Sequence, residues 1–224
     1  MTDQLLTDDE IARTADAIID WQLPSGMIPW FPGGHADPWN HIEAAMALTV
    51  AGRVTEAERA YEWLVGLQRA DGSWHQYYNA QGVDQDKFDA NVIAYIATGV
   101  WHHYLITRDR GFLESLWPVV DRAIDFVFAL QQPRGEVIWA RHADGTPWSF
   151  ALLTGSSSIY HSTRAALASA RELGIDREEW TERIERLGAV IRDQPDDAFA
   201  PKNRWAMDWY YPVLAGAIAG QPAR

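Results

Sequence analysis

Carboxylates and indoles gather in four stretches of this 224-residue chain, and their pairing defines the chemistry open to it. The first stretch, Trp30 to Glu43, carries Asp37, Trp39, His41 and Glu43. The second carries Trp74, Tyr77, Asp84, Asp86 and Asp89. The third runs from Trp139 through Trp148 to three serines at 156–158 and His161; the fourth holds Trp205, Asp208, Trp209 and Tyr210. Aromatic faces stabilise cations through their quadrupole, and they also stack on sugar rings whose hydroxyls Asp, His and Arg can bind. Two carboxylates facing each other across roughly 6.5–9.5 Å form the acid–base pair of an inverting glycosidase. Asp86, Asp89, Glu43 and Asp208 are the candidate catalytic acids of these stretches. Asp37, Trp39, His41, Trp74, Tyr77, Trp148, His161, Trp205, Trp209 and Tyr210 are the candidate substrate contacts.

Several of these residues also have plain structural uses. Asp37 precedes Pro38, the arrangement of a helix N-cap with proline in the first helical position. Asp86 and Asp89 are three apart and can share one face of a first helical turn, where a helix N-terminus favours their ionised forms. Asp208 likewise takes an N-cap position. The three serines can cap a helix and can also donate to a ligand. Glu43 lies one turn into a segment of Ala, Met and Leu, so its carboxylate must be paired or functional. His41 and Glu43 are two apart and do not share a helix face, so they are a weak metal pair. No metal site is expected.

Composition narrows the field. There is no cysteine, which removes disulfides, thiolate metal sites and a cysteine nucleophile. No G-x-S-x-G element is present either. A net charge of −12 speaks against nucleic-acid partners, since phosphates are repelled. Twelve tryptophans are far more than a core of this size requires and call for a second role. The chain opens on polar and acidic residues, and its longest apolar stretches, Val92 to Trp101 and Val213 to Gly220, are too short to span a bilayer. A cytoplasmic protein acting on a small-molecule substrate, with no transmembrane segment, is the expectation; its oligomeric state is open.

The elements that position these residues follow from an internal repeat. Arg59-Ala60-x-x-Trp63-Leu64-x-x-x-Gln68-x-x-x-Gly72-x-Trp74 recurs as Arg122-Ala123-x-x-Phe126-Val127-x-x-x-Gln131-x-x-x-Gly135-x-Val137, and a weaker copy ends in Gln22, Gly26 and Ile28. The copies are unequally spaced, as helical hairpins with variable loops would be. Each copy closes an amphipathic helix, and with one more the outer helices number four, near 8–21, 54–69, 111–132 and 177–192. Thr7-x-x-Glu10 and Thr55-x-x-Glu58 have the form of capping boxes, and Asp176 with Glu179 can act similarly. Between these helices lie segments that are small and apolar on most faces, near 38–50, 87–101, 156–170 and 208–220. A helix apolar all round is a buried one. Amphipathic outer helices alternating with apolar inner ones predict an all-α fold, an α/α toroid of about four hairpins in one domain spanning 1–224. No sustained period-two run supports strands. A six-hairpin ring at this repeat length needs ~300 residues or more, so two C-terminal hairpins are expected to be lacking.

The segment Arg59–Trp74 resembles the QW motif of the terpene cyclase and prenyltransferase superfamily. The resemblance covers about sixteen residues at motif level and most of the chain at the level of hairpin pattern. It implies an α/α toroid with a central cavity, and it makes Gln68 and Trp74 scaffold positions. It also implies an isoprenoid substrate, with Asp86 or Asp89 as acid and Trp39, Trp74, Trp148 and Trp209 shaping the cavity. No cofactor is implied, with magnesium only if the substrate is a diphosphate. The superfamily's acidic motifs are incomplete: Asp84-Gln85-Asp86-Lys87 departs from D-x-D-D, and no D-D-x-x-D occurs. The polarity of the four stretches fits a sugar better than a polyprene. In that alternative Glu43, Asp89 and Asp208 supply acid and base of an inverting glycosidase-like enzyme. A non-catalytic helical-repeat binding scaffold is the third reading.

Overall fold

A computed structural model describes residues 6–201 and 207–218. The outer helices are α1 (Asp8–Trp21), α3 (Val54–Leu67), α6 (Arg110–Phe128) and α8 (Glu178–Asp193). The inner ones are α2 (Pro38–Val50), α4 (Ala90–Ala94) continued after a break at Tyr95 by α5 (Ile96–Thr107), α7 (Leu153–Leu173) and α10 (Met207–Leu214). A short α9 (Pro195–Ala198) follows α8. The outer helices pack on inner ones, α1 and α3 on α2, α6 on α4, α5 and α7, and α8 on α7, and the inner helices pack in succession, α2 on α5, α5 on α7, and α7 on α10. The fold is an α/α toroid. Its inner wall is dry where it meets the outer layer: Ala45, Ala94 and Ala166 are fully buried.

The repeat is the device that joins neighbouring hairpins. Gln22 Nε2 donates to the carbonyls of Gly26 (3.1 Å) and Glu56 (3.0 Å). Gln68 does the same to Gly72 (3.1 Å) and Val119 (2.8 Å), and Gln131 to Gly135 and Arg183, both at 2.9 Å. In each case the second carbonyl belongs to the next outer helix. The repeat arginine completes the lock from that next helix, Arg59 onto Gln22 Oε1 and Arg122 onto Gln68 Oε1. Gly72, at φ +87, lies so near this contact that a Cβ would sit 2.1 Å from the Arg122 carbonyl. Trp74 is buried and donates its indole N–H to the Leu64 carbonyl at 2.8 Å, satisfying an orphan acceptor at the end of α3. This motif is hairpin carpentry: every partner is backbone or motif, and none faces a ligand.

Capping follows the sequence in part. Thr7 and Glu10 form the expected capping box on α1, and Asp37 caps α2 with Pro38 at the first position. The Thr55–Glu58 box does not form, because α3 already starts at Val54 with Arg53 before it and no side-chain cap. Asp176 accepts from Glu178 N at 3.0 Å, without Glu179 closing a box. The serines 156–158 lie inside α7, which starts at Leu153, so they do not cap it. Four short strands escape the period-two test. β1 (Tyr77–Asn79) pairs antiparallel with β2 (Gly82–Gln85), and β3 (Lys87–Asp89) with β4 (Ala140–His142). Three or four residues are too few to show a period, and β3–β4 is a pairing between two loops distant in sequence. These loops roof the N-terminal ends of the inner helices.

Candidate active site

Every inner helix turns one stripe of side chains toward the centre. On α2 the stripe is Trp39, Glu43 and Met46, at helical steps of four and three. On α4–α5 it is Tyr95, Thr98, His102 and Leu105, and on α7 Ser158, His161, Arg164 and Ala168. Trp39, Tyr95, Ser158 and Tyr211 each lie in the first turns of their helix and together line one cavity of about 150 Å³. The N-terminal ends of the inner helices therefore converge on one mouth. Beyond it, a chamber of about 500 Å³ continues along the later turns, sharing His161, Leu214 and Ala215 with the mouth.

The mouth is an aromatic platform with a carboxylate beside it. The Trp39 and Tyr95 rings are stacked, 4.4 Å apart and 6° from parallel, and Tyr211 lies 6.3 Å from Trp39. The Tyr95 hydroxyl donates to Glu43 Oε1. Glu43 is exposed, so its carboxylate is oriented on one oxygen and open to a ligand on the other side. Burial first, and then the Glu43 bond and charge, push the Tyr95 phenol well above the usual tyrosine range, so it stays a donor. Tyr211 is raised by burial and by the neighbouring Tyr210 and Glu43. His161 is lowered by burial and by Arg164, so the imidazole at the cavity wall is held neutral more readily than a free one.

The other candidate acids have different places. Asp89 is buried and caps α4, accepting from Asn91 N (3.0 Å) and Val92 N (3.3 Å). Burial raises its pKa to about 6 against the opposing effects of Lys87 and these bonds. Asp86 is exposed at the foot of β3, 2.7 Å from His75 Nδ1. It does not share a helical turn with Asp89, because Lys87–Asp89 is a strand. Asp208 lies inside the first turn of α10 rather than capping it. Its carboxylate reaches across to α7 instead, accepting from Thr154 N at 3.0 Å and from the Thr154 hydroxyl. It is one turn from Tyr211, on the mouth side of that helix.

Several expected substrate contacts are scaffold. His41 is buried, with Nδ1 accepting from Ile28 N (3.0 Å) and Nε2 facing the Ala60 carbonyl (2.9 Å), and burial lowers its pKa to about 4. Asp37 is buried, accepting from Asn40 N, Asn40 Nδ2 and Trp30 Nε1. Trp74 is the core residue described above. Tyr77 packs against Trp30 and His35, and Trp148 against Trp139 and His142, both in the roof loops. Trp209 is 73% exposed and packs edge-on against Tyr210, away from the platform. Trp205 lies outside the described residues. Trp39 and His161 are thus the expected contacts that line the central cavity. Tyr95, Tyr211 and His102 are added by the structure, and Ser158, one of the three serines read as possible ligand donors, lines the mouth with them. A lone tyrosine in the Val-Ile-Ala-Tyr-Ile-Ala run was the available signal, since a buried phenol needs a partner. Among the described residues no group of three or more His, Asp and Glu is placed to hold a metal ion, and no helix is long and apolar enough to cross a membrane.

The relatives of the chain bear on this geometry. It is 52% identical over 220 residues, 98% of its length, to an MMP endo-(1,4)-3-O-methyl-α-D-mannosidase of Mycolicibacterium hassiacum. The chain spans 61% of that protein's length. Among solved structures, an endo-β-1,4-glucanase of Acetobacter xylinum superposes with a TM-score of 0.66 at 12% identity, over 95% of this chain and 75% of that one. The unsaturated glucuronyl hydrolase of Bacillus sp. GL1 gives 0.61 at 16% identity, over 84% and 57%. No protein-family model matches the chain. These likenesses overturn the terpene cyclase and prenyltransferase resemblance and the isoprenoid substrate it implied. The reason lies in the motif itself: here Gln and Gly lock neighbouring hairpins and Trp74 closes a helix end, structural tasks that specify no chemistry.

Proposed function

We propose that the protein is a glycoside hydrolase acting within α-(1→4)-linked chains of 3-O-methylmannose. The observation that carries the reading is the 52% identity with the M. hassiacum mannosidase along 98% of this chain. The site supports it. The Trp39–Tyr95 stack offers a flat apolar face for a pyranose ring, and Glu43 stands beside it as the exposed carboxylate. In this reading Glu43 is a catalytic residue that exchanges a proton with the glycosidic oxygen or with the attacking water, and Tyr95 holds it in position. Asp208, one turn from Tyr211, is the second carboxylate, and Thr154 orients it. Asp89 is a capping residue, because burial keeps it from substrate. Asp86 has no part in the site.

The test is hydrolysis of 3-O-methylmannan oligosaccharides by the protein and by its Glu43→Gln and Asp208→Asn variants. Loss of general acid–base help lowers kcat by about 10²–10⁴ with KM little changed. Asp86→Asn retains the parent rate. Undiminished turnover in Glu43→Gln would remove Glu43 from the chemistry, and an absence of turnover by the parent protein on this glycan would remove the substrate assignment.

A further inference from the structure

The chamber behind the mouth has two unlike walls. One is apolar and solvent-facing: Leu105 is 41% exposed and Leu214 69% exposed, with Met46 and Trp101 half-buried beside them. Leu214 belongs to the last described inner helix, so Leu105 and Met46 are the apolar side chains here that a ligand can cover. The other wall donates. Arg164 and Arg171 both line the chamber, and among the described residues their hydrogen bonds, to the Ala215 and Leu167 carbonyls, use one N–H each of five. Among the described residues, His102, on the same lining, has a buried Nδ1 with no partner. No carboxylate among them lines the chamber, and the hydroxyl of Thr98 is already shared with Ser162 at 3.0 Å.

A free sugar hydroxyl needs an acceptor for its proton as well as a donor to its oxygen, and the two guanidiniums supply donors only. A methyl ether is different. Its oxygen only accepts, which suits a guanidinium that only donates, and its methyl group prefers an apolar surface. We propose that this chamber is the subsite that reads the methyl ethers of the glycan, with Met46 and Leu105 taking the methyl groups and Arg164 and Arg171 donating to ether and ring oxygens. The proposal rests on the glycan reading above and adds where, and by which residues, a methylated sugar is told from a plain one. The ligand is a neutral, O-methylated oligosaccharide.

The experiment pairs (1→4)-α-mannan oligosaccharides of equal length with and without 3-O-methyl groups. A methyl group in an apolar pocket discriminates by about 10- to 200-fold, so the parent protein favours the methylated series in kcat/KM by that order. Met46→Gln and Leu105→Gln each bring the ratio toward one. The same comparison by calorimetry on Glu43→Gln reads binding without turnover. If neither series is cleaved but the methylated one binds more tightly, the hydrolase reading fails and the chamber assignment stands. Equal affinity for the two series, or a preference that both apolar variants leave untouched, overturns the proposal. So does an acidic oligosaccharide that binds more tightly than the methylated one and loses that advantage in Arg164→Gln/Arg171→Gln, since the chamber would then be an anion site.

Discussion

His41→Asn separates a core histidine from a substrate-binding one. In the fold Nδ1 accepts the Ile28 N–H while Nε2 faces a carbonyl, so a second proton would have to go onto Nδ1, against the Ile28 N–H, in a buried site. Burial accordingly drops the pKa from 6.5 to about 4. At about 1.4 kcal/mol for each tenfold change in proton affinity, this is worth about 3 kcal/mol. The sign follows from proton counting. Above pH 6.5 His41 is neutral folded or unfolded and has no effect on the pH dependence. As pH falls from 6.5 to 4 the unfolded chain takes up a proton that the native state refuses, and about 3 kcal/mol of stability is lost. Asp89 runs the other way. Its folded pKa of about 6 lies above the free value of 3.8, so its contribution is full at low pH and about 3 kcal/mol is lost as pH rises through 6. The two nearly cancel between pH 4 and 7.5. Asn at position 41 keeps one acceptor and one donor for the same partners and cannot titrate. Urea unfolding at pH 7.5 and pH 4 therefore shows His41→Asn gaining about 3 kcal/mol relative to the parent on acidification. Asp89→Asn shows the reverse, losing about 3 kcal/mol relative to the parent over the same interval. A parent–variant difference for His41→Asn that is equal at both pH values refutes the reasoning and returns His41 to a solvent-accessible role.

Other consequences follow from the hairpin lock and the platform. Gly72→Ala places a Cβ 2.1 Å from the Arg122 carbonyl at φ +87, whereas Gly52→Ala, at φ +74 with nothing within 4 Å, bears only the backbone strain; the first lowers Tm by several degrees more than the second, whose cost is about 1–2 kcal/mol. Gln68→Ala is more destabilising than Gln131→Ala by about 2 kcal/mol in denaturant titration, because Gln68 Oε1 accepts from Arg122 and Gln131 Oε1 is unpartnered. Trp39→Ala raises KM about tenfold with little loss of stability, and Trp74→Ala costs about 3–5 kcal/mol of stability while KM of the folded fraction is retained.

Much of the scaffold is legible in the residues because helices announce themselves by period. The span 38–50 read from its Asp-Pro start and small apolar run is the span of α2. The strands are not legible, since β3 and β4 are three residues each and exist by pairing between segments distant in sequence. The site is legible only where geometry is local. Trp39 and Glu43 are four apart on one helix, and that spacing alone puts them on one face. Whether a face is central or core depends on packing that spacing does not carry, so His41 and Trp74 read as ligand contacts and are buried. Tyr95 reads as core and is the residue that holds Glu43. The repeat misled in a similar way, since its Gln, Gly and Trp report how hairpins dock and carry no information on what the cavity holds.

The proposed function places the chemistry on Glu43, held by Tyr95 beside Trp39. Single-turnover cleavage of a 3-O-methylmannan oligosaccharide by the parent and by Glu43→Gln tests it most directly. The account predicts cleavage by the parent and a rate at least about a hundredfold lower in the variant, with the oligosaccharide still bound. Equal rates in the two proteins would contradict it.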